Sequence, residues 1–271
     1  MVCATILARN CSSFLNLAGK AASVGCDVVE LRVDHLDERT KACVSEIVTS
    51  SPVPVVATVR SERDGGLFPS ANETQRLELI EQVIENSPAF VDLELEIDTH
   101  IRSALTNKAR RKHVGVIVSY HDFRCTPSLS KIAKIAKSEL RTNPDLAKLV
   151  FTPRDAGDVS KILEMASRLF PGNRSYTIFG IGGLGKVTRL TSLLLGGSLI
   201  YCSLGKTNPK LGQINANEVI DYLQRMERLD WGKLRENRLA ILRVLKEQMK
   251  IAGEIDPEFD PAPYVRMKSV Y

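Results

Sequence analysis

The sequence has few features that point to a metal, a membrane or a nucleic acid. Its six cysteines (Cys3, Cys11, Cys26, Cys43, Cys125 and Cys202) form no C-x-x-C pair and no metal-ligand spacing, so no metal site is expected. Several lie among apolar neighbours, where cysteine behaves as a small hydrophobe. A chain of 271 residues is too large to need disulfide staples, and a reducing cytoplasm is the expected compartment. No apolar run approaches the roughly 20 residues of a membrane span. The chain enters directly into Val2-Cys-Ala-Thr-Ile6 with no charged leader or cleavage site, and a soluble protein is expected. The net charge is only +5, with basic residues spread along the chain. The densest cluster (Lys108, Arg110, Arg111, Lys112) is short and lacks interleaved aromatics. It reads as a solvated helix end and not as a nucleic-acid surface.

What is present is an alternation of two periodicities. Short apolar runs at 2–7, 27–33, 54–60, 90–95, 114–120, 147–152, 176–181 and 198–203 read as strands. Between them, segments such as 12–22, 73–85, 128–141 and 155–169 carry apolar residues at helical spacing. Pro127-Ser128 and Pro153-Arg-Asp155 supply helix-start chemistry, a proline stopping the strand and a capping side chain beside it. Eight β-then-α units in sequence predict a parallel sheet, and eight is the number that closes into a barrel. The expected fold is therefore α/β, a (β/α)8 TIM barrel over residues 1–228. A C-terminal helical extension, 229–271, follows. It pairs an apolar stripe (Leu234, Ile241, Leu242, Leu245, Met249) with a Pro-rich end, and reads as a helix packed on the barrel or a partner-binding segment. In such a barrel, functional side chains collect at the C-terminal ends of the strands.

Polar residues do collect there. Lys148 stands inside Asp145-Leu-Ala-Lys-Leu-Val-Phe-Thr-Pro153, an otherwise apolar stretch too short for a helix before its proline. Burying the ammonium is costly and favours the neutral amine, which is a nucleophile able to form an imine with a ketone. The plainer reading is a lysine that snorkels to a strand end. Alternation along Glu30-Leu-Arg32-Val-Asp34 places three charges on one strand face, costly unless they serve one another or a polar ligand. Thr58-Val-Arg60, Ser119-Tyr-His121 and Arg189 add guanidiniums and an acid/base group suited to an anionic, hydroxylated ligand. Gly180-Ile-Gly-Gly-Leu-Gly185 matches G-x-G-x-x-G, but no acid follows at the next strand end, as a dinucleotide site requires. Val187 stands where a Walker motif needs Ser or Thr. The segment reads as a tight turn that lets the chain approach a ligand, with a phosphate site as the alternative.

Together these residues resemble the type I 3-dehydroquinate dehydratases. The resemblance spans about 1–228 and rests on Glu30-Leu-Arg32-Val-Asp34, Val59-Arg60 with Gly65-Gly66, Ser119-Tyr-His121, Lys148, Arg189 and Gly212-Gln213-Ile214. It implies a cytoplasmic homodimer of (β/α)8 barrels that needs no cofactor and no metal. The implied activity converts 3-dehydroquinate to 3-dehydroshikimate in the shikimate pathway. By this resemblance Lys148 forms a Schiff base with the substrate ketone and His121 is the acid/base. Glu30, Arg32 and Arg60 position substrate, Arg189 grips its carboxylate, and Gln213 belongs to a closing loop. The family's Ser-Ala-Pro-Gly-Gln loop reads Pro209-Lys-Leu-Gly-Gln213 here, and its glutamate near the Gly-Gly pair is Asp64. Two other readings stand beside it: another imine-forming barrel lyase such as a class I aldolase, and a non-catalytic scaffold.

Overall fold

The computed structural model describes residues 1–37, 41–169, 175–205 and 210–227. The tail read as a helical extension, 229–271, lies outside the described residues, as does Pro209 of the closing loop. Strands and helices alternate through the chain: β1 (Val2–Ile6), α1 (Cys11–Val24), β2 (Val28–Arg32), α2 (Lys41–Ser50), β3 (Val55–Thr58) and α3 (Glu73–Glu85). They continue as β4 (Phe90–Glu94), α4 (Thr99–Arg111), β5 (Gly115–Asp122), α5 (Leu129–Arg141), β6 (Leu146–Phe151) and α6 (Ala156–Leu169). The last units are β7 (Tyr176–Gly180), α7 (Gly182–Leu194), β8 (Ile200–Ser203), a two-residue β9 (Ile214–Asn215) and α8 (Ala216–Glu227).

All pairings are parallel, in the order β7-β6-β5-β4-β3-β2-β1-β8-β9. The sheet curls into the expected barrel. Between β7 and β8 no ladder forms among the described residues. The seam is held by Ser198 N–H donating to Tyr176 O (2.7 Å) and by Thr177 Oγ1 donating to Leu199 O (2.7 Å). Near-continuous apolar runs make these strands because both faces are covered. Outward side chains such as Val29, Leu31, Val116 and Leu149 pack under the helices.

Inward side chains divide into two layers. Cys3, Val28, Val56, Ile117, Leu146 and Leu199 form an apolar floor. Two residues further along each strand, and so on the same face, stand Thr5, Glu30, Thr58, Ser119, Lys148 and Tyr201. On β4, Asp92 likewise follows Phe90. The polar layer therefore lies toward the C-terminal ends of the strands, where barrel sites form.

Helix starts follow local chemistry. Asn10 caps α1 by accepting from Ser13 N–H (2.9 Å), Asp98 caps α4, and Asp155 accepts from Asp158 N–H (2.8 Å) ahead of α6. Ser128 makes no cap bond to α5, contrary to the sequence expectation; its hydroxyl meets that of Ser130 instead. The cysteine reading also needs correction. Cys11 at the start of α1 and Cys43 in α2 are joined by a disulfide (Cα–Cα 5.8 Å), which ties the first two helices together. No helix among the described residues is long and apolar enough to cross a membrane.

Candidate active site

Lys148 is almost fully buried, as an inward residue of β6 should be. Its Nζ donates to Asp92 Oδ2 at 3.0 Å, lies 3.9 Å from Glu30 Oε1, and sits 4.2 Å from the centroid of the Tyr201 ring. The snorkelling alternative is excluded, because the amine ends inside the barrel with two carboxylates facing it.

Asp92 is the hub. Besides Lys148 it pairs with Arg60 Nη2 (2.7 Å) and accepts from Ser119 Oγ (2.6 Å). Burial alone would push its carboxyl up, but Arg60, Lys148 and the Ser119 hydroxyl overcome this and hold it well below the usual carboxylate range. Burial likewise opposes the charge on Arg60, and Asp92 and Glu94 more than restore it. Glu94 in turn accepts from Arg60 Nη1 (3.2 Å) and the Ser61 N–H (3.1 Å), and pairs with Arg76 (2.5 Å). Glu30 is oriented by two hydroxyls, Thr5 Oγ1 (2.9 Å) and Thr58 Oγ1 (3.0 Å).

His121 is in β5, opposite Val150 of β6. Burial, then the nearby Arg60 and Lys148 cations, push its imidazole well below the ordinary histidine range, so the ring is neutral at physiological pH. Its Nδ1 makes no hydrogen bond; Asp64 Oδ1 stands 3.7 Å away, too far for one. Phe123 stacks on the ring (centroids 5.8 Å apart, planes within 7°) and its edge abuts Gly65. The Gly65-Gly66 pair is needed because the chain folds back over Arg60. A Cβ on Gly66 would lie 2.0 Å from Arg60 O, and Gly65 has φ +75°.

Arg189, in α7, is buried with no carboxylate partner among the described residues. Its Nη2 donates to Leu211 O (2.7 Å), its guanidinium lies 4.2 Å from the Phe179 ring centroid, and Nε has no partner. Burial lowers its pKa to about 10, so it is still a cation at neutral pH.

One cavity of about 310 Å³ is lined by all seven residues singled out from the sequence: Glu30, Arg32, Arg60, His121, Lys148, Arg189 and Gln213. Asp34 differs from expectation. The strand ends at Arg32 and Asp34 enters a 3-10 turn (Val33–His35), so it does not extend the line of inward charges. It clamps Arg32 from the side (2.9 and 2.6 Å) and accepts from the N–H groups of Arg60 and Leu67. In the glycine segment, Gly182 and Gly183 border open space. Gly180 ends β7 and Gly185 lies in the first turn of α7, where a Cβ would sit 2.3 Å from Gly180 C. These two glycines let helix and strand touch each other.

Sequence reasoning passed over Asp92, Glu94 and Tyr201. The Asp92-Leu-Glu94 alternation carries the same signal as Glu30-Leu-Arg32, but Tyr201 in an apolar run looks like any core aromatic.

The arrangement combines an amine, a neutral imidazole, an unpaired buried cation and fixed carboxylates around one small cavity. Known proteins resemble the chain as a whole in sequence and in fold. A 3-dehydroquinate dehydratase of Methanococcus maripaludis (strain C5) is 30% identical over 227 residues, 84% of this chain and the whole of that protein. The crystal structure of 3-dehydroquinate dehydratase from Geobacillus kaustophilus superposes with a TM-score of 0.77 at 24% identity, over 84% of this chain and 91% of that one. The Aquifex aeolicus 3-dehydroquinate dehydratase gives 0.70 at 25% identity, over 84% of this chain and all of that one. The model of the type I 3-dehydroquinase family matches residues 2–230, which takes in every strand of the barrel and every residue lining the cavity, and the chain belongs to that family.

Proposed function

We propose that this chain removes water from 3-dehydroquinate through an imine on Lys148. The single observation that carries the mechanism is the placement of Lys148 Nζ inside the barrel, at the cavity, between Asp92 and Glu30. Lys148 first gives its ammonium proton to solvent, the free amine attacks the substrate ketone carbon, and one proton returns as a water leaves and the protonated imine forms. The positive nitrogen draws electrons from the neighbouring C–H bond. Neutral His121 takes that proton, and the electron pair moves into the enamine. The pair then returns to expel the β-hydroxyl, which departs as water with the proton held by His121. A second water hydrolyses the conjugated imine and frees Lys148. The net change is loss of one water, giving 3-dehydroshikimate.

Each remaining group has a task that its surroundings support. Arg189 faces no carboxylate among the described residues and is suited to the substrate carboxylate. Glu30 and Asp92 balance the positive nitrogen. Arg32, clamped by Asp34, and Gln213 offer donors to the substrate hydroxyls. Family membership favours dehydration over the carbon–carbon cleavage of an aldolase.

Borohydride added with dehydroquinate should inactivate the enzyme and leave the reduced adduct on the Lys148 peptide by mass spectrometry. A Lys148→Ala chain that turns over dehydroquinate within tenfold of wild type would falsify the mechanism.

A further inference from the structure

Tyr201 belongs to the polar layer of the barrel, yet its hydroxyl makes no hydrogen bond among the described residues. The oxygen is buried and has no hydrogen-bond partner, although burying an unsatisfied hydroxyl is costly. What Tyr201 presents to the site is its ring face, with Lys148 Nζ 4.2 Å from the centroid. The ring cannot easily turn away. It stands on β8, its backbone pairs with Cys3 of β1, and Phe179 packs against it at 6.2 Å with a 46° tilt.

The chemistry of the nitrogen makes this contact useful. An ammonium has three N–H donors, and Asp92 takes one of them. An iminium keeps a single N–H, so hydrogen bonding to its carboxylates falls away as the imine forms. Attraction to an aromatic face needs only the positive charge and persists through the change. We infer that Tyr201 is a positioning residue of this reaction: its ring face holds the Lys148 nitrogen in place and stabilises the cationic imine, while its hydroxyl is idle. This rests on the imine reading given above.

The test replaces Tyr201 in the full-length chain by phenylalanine, then by mono-, di- and trifluorophenylalanine. This withdraws electron density from the face while nearly keeping its shape. Turnover of dehydroquinate and the rate of borohydride-trapped adduct formation on Lys148 are read for each, together with the melting temperature. Tyr201→Phe sets the reference for the series, because it keeps the ring face and removes only the hydroxyl. Across the fluorinated series both rates should fall stepwise by about tenfold in all, the size expected for a desolvated cation on a ring face. The melting temperature should not follow that trend, which separates this role from a merely structural one. Rates that stay flat across the series overturn the inference, as does a Tyr201→Phe chain that folds but loses activity. If wild type turns over substrate with no trapped adduct, the imine itself is wrong. A trapped adduct with a flat series removes only the role of the ring.

Discussion

Replacing Asp92 by asparagine keeps the side chain's shape and removes one buried negative charge. In the native barrel that charge faces Arg60 at 2.7 Å and Lys148 at 3.0 Å. At an effective dielectric near 20, a unit pair at 3 Å attracts by about 5 kcal/mol before desolvation is counted. Asp92 has no exposure to water, so screening does little to weaken it. Stripping one partner from a buried ion pair costs about 3–5 kcal/mol net, because the cations left behind stay desolvated. Asp92→Asn should therefore lower the urea midpoint at pH 7 by about 1 to 2 M. The loss should also depend on pH in a defined direction. The folded carboxyl is held well below its unfolded value, so wild type gains stability from Asp92 above about pH 3.9, where the unfolded carboxyl is ionised. That gain disappears as pH falls toward the folded value, whereas the asparagine variant never has it. The gap between the two proteins should thus be constant above about pH 5 and shrink by about 1.4 kcal/mol per unit below about pH 4. Urea titrations of both proteins at pH 7, 5, 4 and 3 measure this. A gap under 1 kcal/mol that does not change with pH would show that Asp92 is not the charge centre of the barrel.

The neutral state of His121 predicts that its ring, followed by NMR in the substrate-free protein, stays unprotonated as pH falls through 6.5 and titrates below that value; a titration centred at or above 6.5 refutes it. Asp64→Glu adds one methylene and closes the 3.7 Å gap to His121 Nδ1. The carboxylate then favours the imidazolium, and the titration of the ring in the substrate-free protein should move to higher pH; a titration that stays in place, or moves to lower pH, counts against this geometry. Arg189→Gln removes a buried cation held for an anion, and kcat/KM for dehydroquinate should fall by about 10- to 100-fold, the worth of a charge-assisted hydrogen bond, while the variant stays folded by circular dichroism. Gly185→Ala drives a methyl into Gly180 and should cost about 1–3 kcal/mol of stability, read as a lower melting temperature; a variant as stable as wild type would show that the helix can shift to make room.

The elements were legible because a parallel barrel writes them plainly. Strands covered on both faces are continuous apolar runs, and the helices carry a separate 3.6-residue rhythm. The observed strands overlap the expected ones closely. Their ends moved where a single side chain decided the matter: β2 stops at Arg32 because Asp34 turns to clamp it, and β5 runs on to Asp122, taking in His121. Lys148 was legible as a candidate site residue because a charge in an apolar run is expensive whatever surrounds it. Cys11 and Cys43 gave no such signal, since 32 residues separate them and only the packing of α1 on α2 brings them together.

The sequence by itself determined the alternating βα plan, the apolar floor of the barrel and the lysine, histidine and arginines of its mouth. Each of these follows from local periodicity or from the cost of burying one charge. Only the tertiary structure decided what holds the amine. Asp92 is 56 residues from Lys148 along the chain and Tyr201 is 53, and neither is unusual in its own strand. The sheet order leaves one strand between β4 and β6 on one side, and closure of β8 onto β7 leaves one strand between β8 and β6 on the other. A carboxylate and an aromatic face then converge on one nitrogen, because attraction to a charge depends on distance through space and not along the chain.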